Sequence, residues 1–206
     1  MNAALVDRWR KVPVAVAVDV SKGACQIDPS IRLLRPAGQQ PRLFGFAVTA
    51  ICAPPDFGAV LRAIDLVKPG DVLVIDAQGN RDFAMIGEIL GGHLRRRKAA
   101  GVICDGAVRD VGELATWNDL PVFAHHITPR GPTAFAGRKV NQPAIIGNRM
   151  VNPGYLMIGD DDGLCALSPD MVSTLIADAE AKLKLEADWQ RSLAEGMTLA
   201  QVFKLD

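Results

Sequence analysis

The sequence predicts an α/β fold in which short buried strands alternate with amphipathic helices. Apolar runs of strand length, Asp71 to Asp76, Val102 to Cys104 and Pro121 to Ala124, are separated by stretches with helical spacing. Glycine and proline breakers stand between them. At 206 residues the chain can bury one full core, and nothing in its composition calls for a second domain, so residues 1–206 are expected to form one unit.

In chain order, Val12 to Val20 alternates and is rich in valine, which by pattern alone is a strand. Pro55 to Lys68 places Val60, Leu61, Ile64 and Val67 at helical spacing, with Asp56 available as a cap and Pro69-Gly70 as the stop. The strand Asp71 to Asp76 follows. Ile86, Ile89, Leu90 and Leu94 then mark a second helix, which ends in the basic run Arg95 to Lys98 before Gly101. Asp110 to Trp117 reads as a short helix. Thr128 to Pro143 carries Pro129, Gly131, Pro132 and Gly137 with three basic residues, a composition that suits a loop over a site. Two short β runs, Ala144 to Ile146 and Leu156 to Ile158, flank Asn152-Pro153-Gly154. Ser168-Pro169-Asp170 supplies an N-cap, a proline at the first helical position and an acid in the first turn, so one long C-terminal helix is expected over about 169–195.

Lysine plus arginine equals aspartate plus glutamate at 23 each, which leaves no global field to attract nucleic acid or anionic lipid. Arg95 to Lys98 is then a solvated helix end. The four cysteines, Cys25, Cys52, Cys104 and Cys165, stand singly among apolar neighbours, without zinc spacing, and read as buried thiols in a reducing cytoplasm. Asp7, Arg8, Arg10 and Lys11 occupy the place of a signal peptide's apolar region, and no apolar run reaches membrane-spanning length. A soluble cytoplasmic protein, with no nucleic-acid or membrane partner, is expected.

Chemistry concentrates in Gly87-Glu88 and in Gly101 to Asp110. Arg109 follows an apolar strand and Gly106, so it emerges near a strand end, where α/β folds place ligands. Its guanidinium can grip a carboxylate through two parallel hydrogen bonds, or pair on the surface with Asp105 or Glu113. Asp110-Val111-Gly112-Glu113 has the spacing of a capping box, while a carboxylate there also suits a hard cation. Glu88 is a favourable acid in a first helical turn and can equally supply a second carboxylate. The free N–H groups of Gly87, Glu88, Ile89 and Leu90 point at whatever anion binds there. Arg81-Asp82, after polar Gln78-Gly79-Asn80, is expected on a mobile loop. His125-His126 lack a metal motif and read as structural, and Asp160-Asp161-Asp162-Gly163 reads as a tight turn between strands.

On these residues the chain resembles the RraA-like family, whose enzymatic members are the 4-hydroxy-4-methyl-2-oxoglutarate / 4-carboxy-4-hydroxy-2-oxoadipate aldolases. The resemblance runs from about Asp19 to Pro169. It is carried by Gly45 to Thr49, Lys68 to Asp76, Gly87 to Leu90, Gly101 to Asp110, and Asn152-Pro153-Gly154 with Gly159 to Gly163.

The resemblance implies an α-β-β-α sandwich of the swivelling β/β/α type, with a helix near Asp19. It also implies homo-trimers or hexamers with sites at subunit interfaces. The implied activity is Mg²⁺- or Mn²⁺-dependent cleavage of 4-hydroxy-2-oxo acids to pyruvate and a second oxo acid, with oxaloacetate decarboxylation as a side activity. Asp110 would then ligate the metal directly, Glu88 would act on it through water, and Arg109 would bind the substrate. The amides of Gly87, Glu88, Ile89 and Leu90 would cradle pyruvate. Lys139 is a candidate nearby charge, and Glu180, Glu186 and Glu195 are candidates for entering a neighbour's site.

The chain departs from the family pattern at Tyr155, where aspartate is usual, at Gly147-Asn148, where Gly-Gly is frequent, and at Glu88, where some members use aspartate. The alternative function within the family is a non-catalytic regulator that acts on a ribonuclease by protein contact. A methyltransferase is disfavoured, because no glycine-rich nucleotide loop follows a strand.

Overall fold

A computed structural model describes residues 2–205. The first half contains α1 (Ala3–Trp9), α2 (Val14–Val20), β1 (Arg32–Leu33), β2 (Leu43–Ile51), α3 (Gly58–Leu66), β3 (Asp71–Ile86), α4 (Glu88–Arg96) and β4 (Gly101–Val108). The second half contains α5 (Val111–Leu114), β5 (Val122–Ile127), β6 (Lys139–Val140), β7 (Ala144–Ile146), β8 (Arg149–Val151), β9 (Leu156–Asp160), β10 (Gly163–Leu167), α6 (Pro169–Thr174), α7 (Ile176–Ala194) and α8 (Leu199–Phe203).

The α/β alternation produces a parallel core, β2-β3-β4-β5, whose three crossovers carry α3, α4 and α5. β9 and β10 extend it antiparallel beyond β2, and β1 closes the other edge against β5. β6 pairs with the end of β2, while β7 and β8 form a separate two-stranded sheet. Alternation along β2 sorts the layers. Phe44 and Phe46 face the cluster built around Trp9, Val172 and Ile176, and Val48 and Ala50 face the α3 cluster. Leu43 and Ala47 face the opposite way, into a cluster with Ile146 and Val151 of the small sheet. The order is therefore helices, main sheet, small sheet, the β/β/α stacking implied by the resemblance.

The small sheet is tied to the large one by side chains. Asp76 and Asp105, register partners on β3 and β4, accept the amides of Ile145 and Gly147 at 2.9 Å each. Asp105 also holds His125 Nδ1 at 3.0 Å, which gives this histidine the structural role expected of it. Gly147 and Asn148 are both left-handed, with φ 47° and 61°, as a two-residue hairpin turn requires. Asparagine tolerates that region, so the departure from Gly-Gly leaves the turn intact.

Several expectations are corrected. Val12 to Val20, a strand by pattern, forms α2 after Pro13, the helix near Asp19 that the resemblance implied, with Val14, Val16 and Ala17 buried against the β9–β10 side. Tertiary packing overrides a valine preference that is weak by itself. The strand from Asp71 runs ten residues past Asp76 to Ile86, and Gln78 to Asp82 is a bulged segment of it, not a loop. Left-handed Gln78 and Gly79 break the register, and Asn80 and Ala84 resume it against Gly106 and Ala107. The C-terminal helix does begin at the Ser168 cap, which accepts the Met171 amide at 3.1 Å, but Leu175 divides it into α6 and α7. Trp189, late in α7, packs on Phe203 of α8. The N-terminal α1 was not foreseen. It anchors through Trp9, fully buried, whose Nε1 donates to Val172 O at 3.0 Å. The four cysteines are buried free thiols, and Asp160 to Gly163 is the β9–β10 turn. Among the described residues no helix is long and apolar enough to cross a membrane.

The basic segment after β5 becomes a strap clamped to the start of α3. Asp56, proposed as the cap of this helix, accepts amides from Gly58 at 2.8 Å, Ala136 at 2.7 Å and Gly137 at 2.9 Å. Arg62 Nη1 donates to the carbonyls of Gly58 and Gly137 at 2.8 Å. The hydrogen bonds donated by the Gly58 and Gly137 N–H groups hold the Asp56 carboxyl below its ordinary range. With the folded value depressed, the stabilisation is complete above the unfolded carboxylate pKa and is lost as pH falls through the folded one. Asp56→Ala should therefore melt at lower temperature than the native protein at pH 7, with the gap narrowing as the pH is taken toward 2. A gap independent of pH would show that the charge plays no part.

Candidate active site

The bulge in β3 is what builds the site. It redirects the strand so that Ile86 lies opposite Val108, and Arg109 N donates to Ile86 O at 3.1 Å. The end of β4 and the beginning of α4 are thereby held side by side. Asp110 then turns back with φ 56° and ψ 35°, a left-handed conformation that is costly for a residue with a Cβ. This turn sends its carboxylate away from α5. Oδ2 accepts the Glu88 amide at 3.0 Å, so Asp110 caps α4 and not its own helix.

The capping-box reading of Asp110 to Glu113 is corrected accordingly. Glu113 does not reach back to Asp110, because its Oε1 accepts from Trp117 Nε1 at 2.9 Å. Arg109 is likewise not a surface partner of Asp105 or Glu113, which are engaged elsewhere. Its Nε lies 3.6 Å from Asp110 Oδ2, and both side chains remain about two-fifths exposed, at 41% and 40%.

Arg109 and Asp110 face a cavity of about 260 Å³ whose wall also includes Gly87, Ile89 and Leu90 of the α4 start. The first intrahelical bond of α4 runs from Gly91 N to Gly87 O at 2.9 Å, so the Ile89 and Leu90 amides lie in the turn that has no intrahelical acceptor. Two glycines leave room for these side chains. A Cβ on Gly87 would collide with Asp110 Oδ2, and one on Gly131 would stand 2.7 Å from Arg109 Nη1. The residues predicted from the sequence are thus gathered, with one distinction. Glu88 contributes its amide to the Asp110 contact, while its exposed side chain is not part of the cavity wall.

The cavity also uses residues that were not singled out. Phe57 enters from the start of α3, and Gly131 and Pro132 enter from the strap. The glycine- and proline-rich composition between Thr128 and Pro143 was the available signal, and it does mark a segment lying over the site. Lys139, on β6 opposite Ile51, is absent from the wall. Glu180 is bound by Arg8 Nη2 at 2.6 Å, and Glu186 by Lys182 at 3.2 Å, so both have partners within the chain. Glu195 lies at the end of α7. Tyr155 accepts a hydrogen bond from Asn152 Nδ2 at 3.1 Å and packs near the small-sheet core.

Comparison with known proteins identifies the family. A family model described as RraA-like, Aldolase/RraA, matches residues 3–165. A protein of Halalkalibacterium halodurans, provisionally named a 4-hydroxy-4-methyl-2-oxoglutarate aldolase, is 27% identical over 203 residues, covering 96% of this chain and 92% of its own. Among solved structures, an uncharacterised protein of Pseudomonas syringae pv. tomato superposes with a TM-score of 0.87 at 24% identity, covering 100% of this chain and 95% of that one. Streptomyces coelicolor RraAS2, described as an unusual member of the RNase ES inhibitor RraA family, gives a TM-score of 0.79 at 22% identity, covering 93% and 98%. The family match spans most of the sequence and the same fold recurs across these structures: the chain belongs to the RraA-like, Aldolase/RraA family.

Proposed function

We propose that the protein is a divalent-metal-dependent, pyruvate-forming aldolase that cleaves 4-hydroxy-2-oxo acids, with oxaloacetate decarboxylation as a side activity. The observation that carries this reading is the convergence, in one cavity, of the Arg109 guanidinium, the Asp110 carboxylate and the open amides of α4. The aldolase name of the Halalkalibacterium relative points the same way.

The donor set fits a hard cation. Asp110 Oδ2 is occupied by the Glu88 amide, and among the described residues no hydrogen bond reaches Oδ1, which is left to hold the metal. No group of three or more His, Cys, Asp or Glu side chains is gathered for a metal among the described residues. A single carboxylate suits Mg²⁺ or Mn²⁺, which keeps waters and takes substrate oxygens, better than a protein cage of the zinc kind. When bound, the cation would supply Lewis-acid stabilisation of the charge that develops on the 2-oxo group.

The chain's own groups do the positioning. Arg109 grips the carboxylate of the 2-oxo end through its planar fork, and the Ile89 and Leu90 amides meet the same anion at a helix N-terminus. Held in that way, the substrate breaks its C3–C4 bond. The electron pair remains on C3 as the pyruvate enolate, C4 becomes a carbonyl, and the hydroxyl proton is carried to C3. Glu88, the residue after Gly87, is the carboxylate we assign to position the water that carries this proton. We also assign the protein a homo-trimeric or hexameric state in which a neighbour completes the open side of the cavity. A regulator acting by protein contact, the role suggested by the Streptomyces relative's description, has no need of this convergence.

The test is pyruvate release from 4-hydroxy-2-oxo acids and from oxaloacetate with Mg²⁺ or Mn²⁺, repeated with excess chelator. Turnover should vanish with chelation and return with added metal. No turnover, or turnover indifferent to chelator, would overturn the proposal.

A further inference from the structure

α4 meets the segment Arg109 to Trp117 at two glycines one helical turn apart. Gly87, buried at the start of the helix, lies against Arg109 and Asp110, where a Cβ would stand 2.9 Å from Arg109 Cγ. Gly91, whose amide closes the first turn on Gly87 O, lies against Trp117 and Leu114. A Cβ there would stand 2.7 Å from Trp117 Cζ3, 2.9 Å from its Cη2 and 3.3 Å from Leu114 Cδ2. With buried Leu94, these positions make one face of the helix.

The indole has no room to give way at this contact. Trp117 is 4% exposed, and its Nε1 donates to Glu113 Oε1 at 2.9 Å. Arg95, one turn beyond Gly91, lies over the ring with its Cζ 4.8 Å from the centroid, and its Nε donates to Asp119 Oδ1 at 2.7 Å. Close-packed groups held in this way transmit a displacement and do not absorb it.

Gly91 and Trp117 stand outside the cavity wall, but the spacing they set governs the other end of the same helix face. There the Glu88 amide meets Asp110 Oδ2 at 3.0 Å, and the open amides of Ile89 and Leu90 share the cavity with Arg109. Placement of this kind matters, because a shift of about 1 Å can cost about 100-fold.

We infer that Trp117 is a positioning residue: seated on Gly91, its indole fixes how closely the start of α4 approaches Arg109 and Asp110. The inference rests on the aldolase reading for the ligand that meets the amides, while the spacing can be measured with no ligand present.

Three variants of the full chain test it: Gly91→Ala, Trp117→Phe and the two combined. Alanine favours the helix but pushes α4 off the indole, and phenylalanine lacks the outer ring atoms that the alanine would meet. Each single change mis-sets the spacing, and together they should fit. Hydrogen exchange at the Glu88 amide should be at least about tenfold faster in each single variant and return to within about threefold of native in the double. Pyruvate affinity with Mn²⁺ present, read by titration calorimetry, should fall about tenfold in each single variant and recover in the double. Mn²⁺ affinity should stay within about threefold throughout, because Asp110 belongs to the segment that remains in place. A merely structural role predicts no recovery, since two independent losses add.

Native exchange at Glu88 in Gly91→Ala overturns the inference. So does a double variant no better than the worse single one, or unchanged pyruvate affinity in a variant whose Glu88 amide exchanges fast. Should the alanine variant not fold, Trp117→Phe alone decides, and native exchange at Glu88 in it overturns the inference. If the native chain binds no pyruvate with the metal present, the aldolase reading falls and the exchange measurements alone decide the role of Trp117.

Discussion

Asp110→Asn should abolish pyruvate formation, by at least about 100-fold, while leaving the fold intact. The substitution is chosen because two jobs meet at this carboxylate. One oxygen caps α4 at the Glu88 amide, and the other is the atom proposed to hold the cation. An asparagine side-chain oxygen can still accept the Glu88 amide, and asparagine tolerates the left-handed φ of 56° that this position demands. What it lacks is the charge. Melting temperature should therefore stay within a few degrees of the native protein's, while Mn²⁺ affinity, read by calorimetry, falls with activity. Asp110→Ala should lose activity to the same degree and in addition cost about 1 kcal/mol for the cap and about 1 kcal/mol for a less tolerant residue in the left-handed region. Retention of activity within threefold in the asparagine variant would remove Asp110 from the metal site and leave it a helix cap.

Arg109→Lys should raise KM for 2-oxo acids by about 10- to 100-fold, with a smaller change in kcat. The charge is conserved, but the planar fork that makes two parallel bonds to a carboxylate is not, and bonds of this charged kind are worth roughly 1.5 to 3 kcal/mol each. The fork is set by its surroundings. Gly131 leaves room for Nη1, the Arg109 amide is held by Ile86 O, and Nε lies 3.6 Å from Asp110 Oδ2. A lysine ammonium would not be oriented by these contacts. Steady-state kinetics on oxaloacetate checks the split: a loss in kcat with unchanged KM would move Arg109 from substrate binding to the chemical step.

Much of the fold could be read in the sequence because it is written in short windows. The helical spacing of Val60, Ile64 and Val67, the strand runs at Asp71, Val102 and Pro121, and the Ser168-Pro169 start each name their element locally. The place of Arg109 and Asp110 in the candidate cavity was also legible, since a charged pair just after a buried strand is a local signal. The failures have one cause. Val12 to Val20 has a strand-like pattern, and only its packing against the β9–β10 side made it helical. Asp110 has the spacing of a cap for α5, yet the left-handed turn gave its carboxylate to α4. Gln78 to Asp82 has loop composition, yet pairing with Gly106 and Ala107 through a bulge kept it in the sheet.

What the sequence determined by itself was the central alternation from α3 to β5, the chemistry available at Gly87 to Leu90 and at Arg109-Asp110, and the absence of a strong net field. What only the tertiary structure decided was which of those groups meet. Phe57, Gly131 and Pro132 reach the cavity because Asp56 ties two distant segments together, and Gly87 reaches Asp110 because β3 is bulged. The physical reason is that hydrophobic period, breakers and caps act over a few residues. Strand register and side-chain-to-backbone bonds join groups far apart in the chain and are settled only when the layers pack.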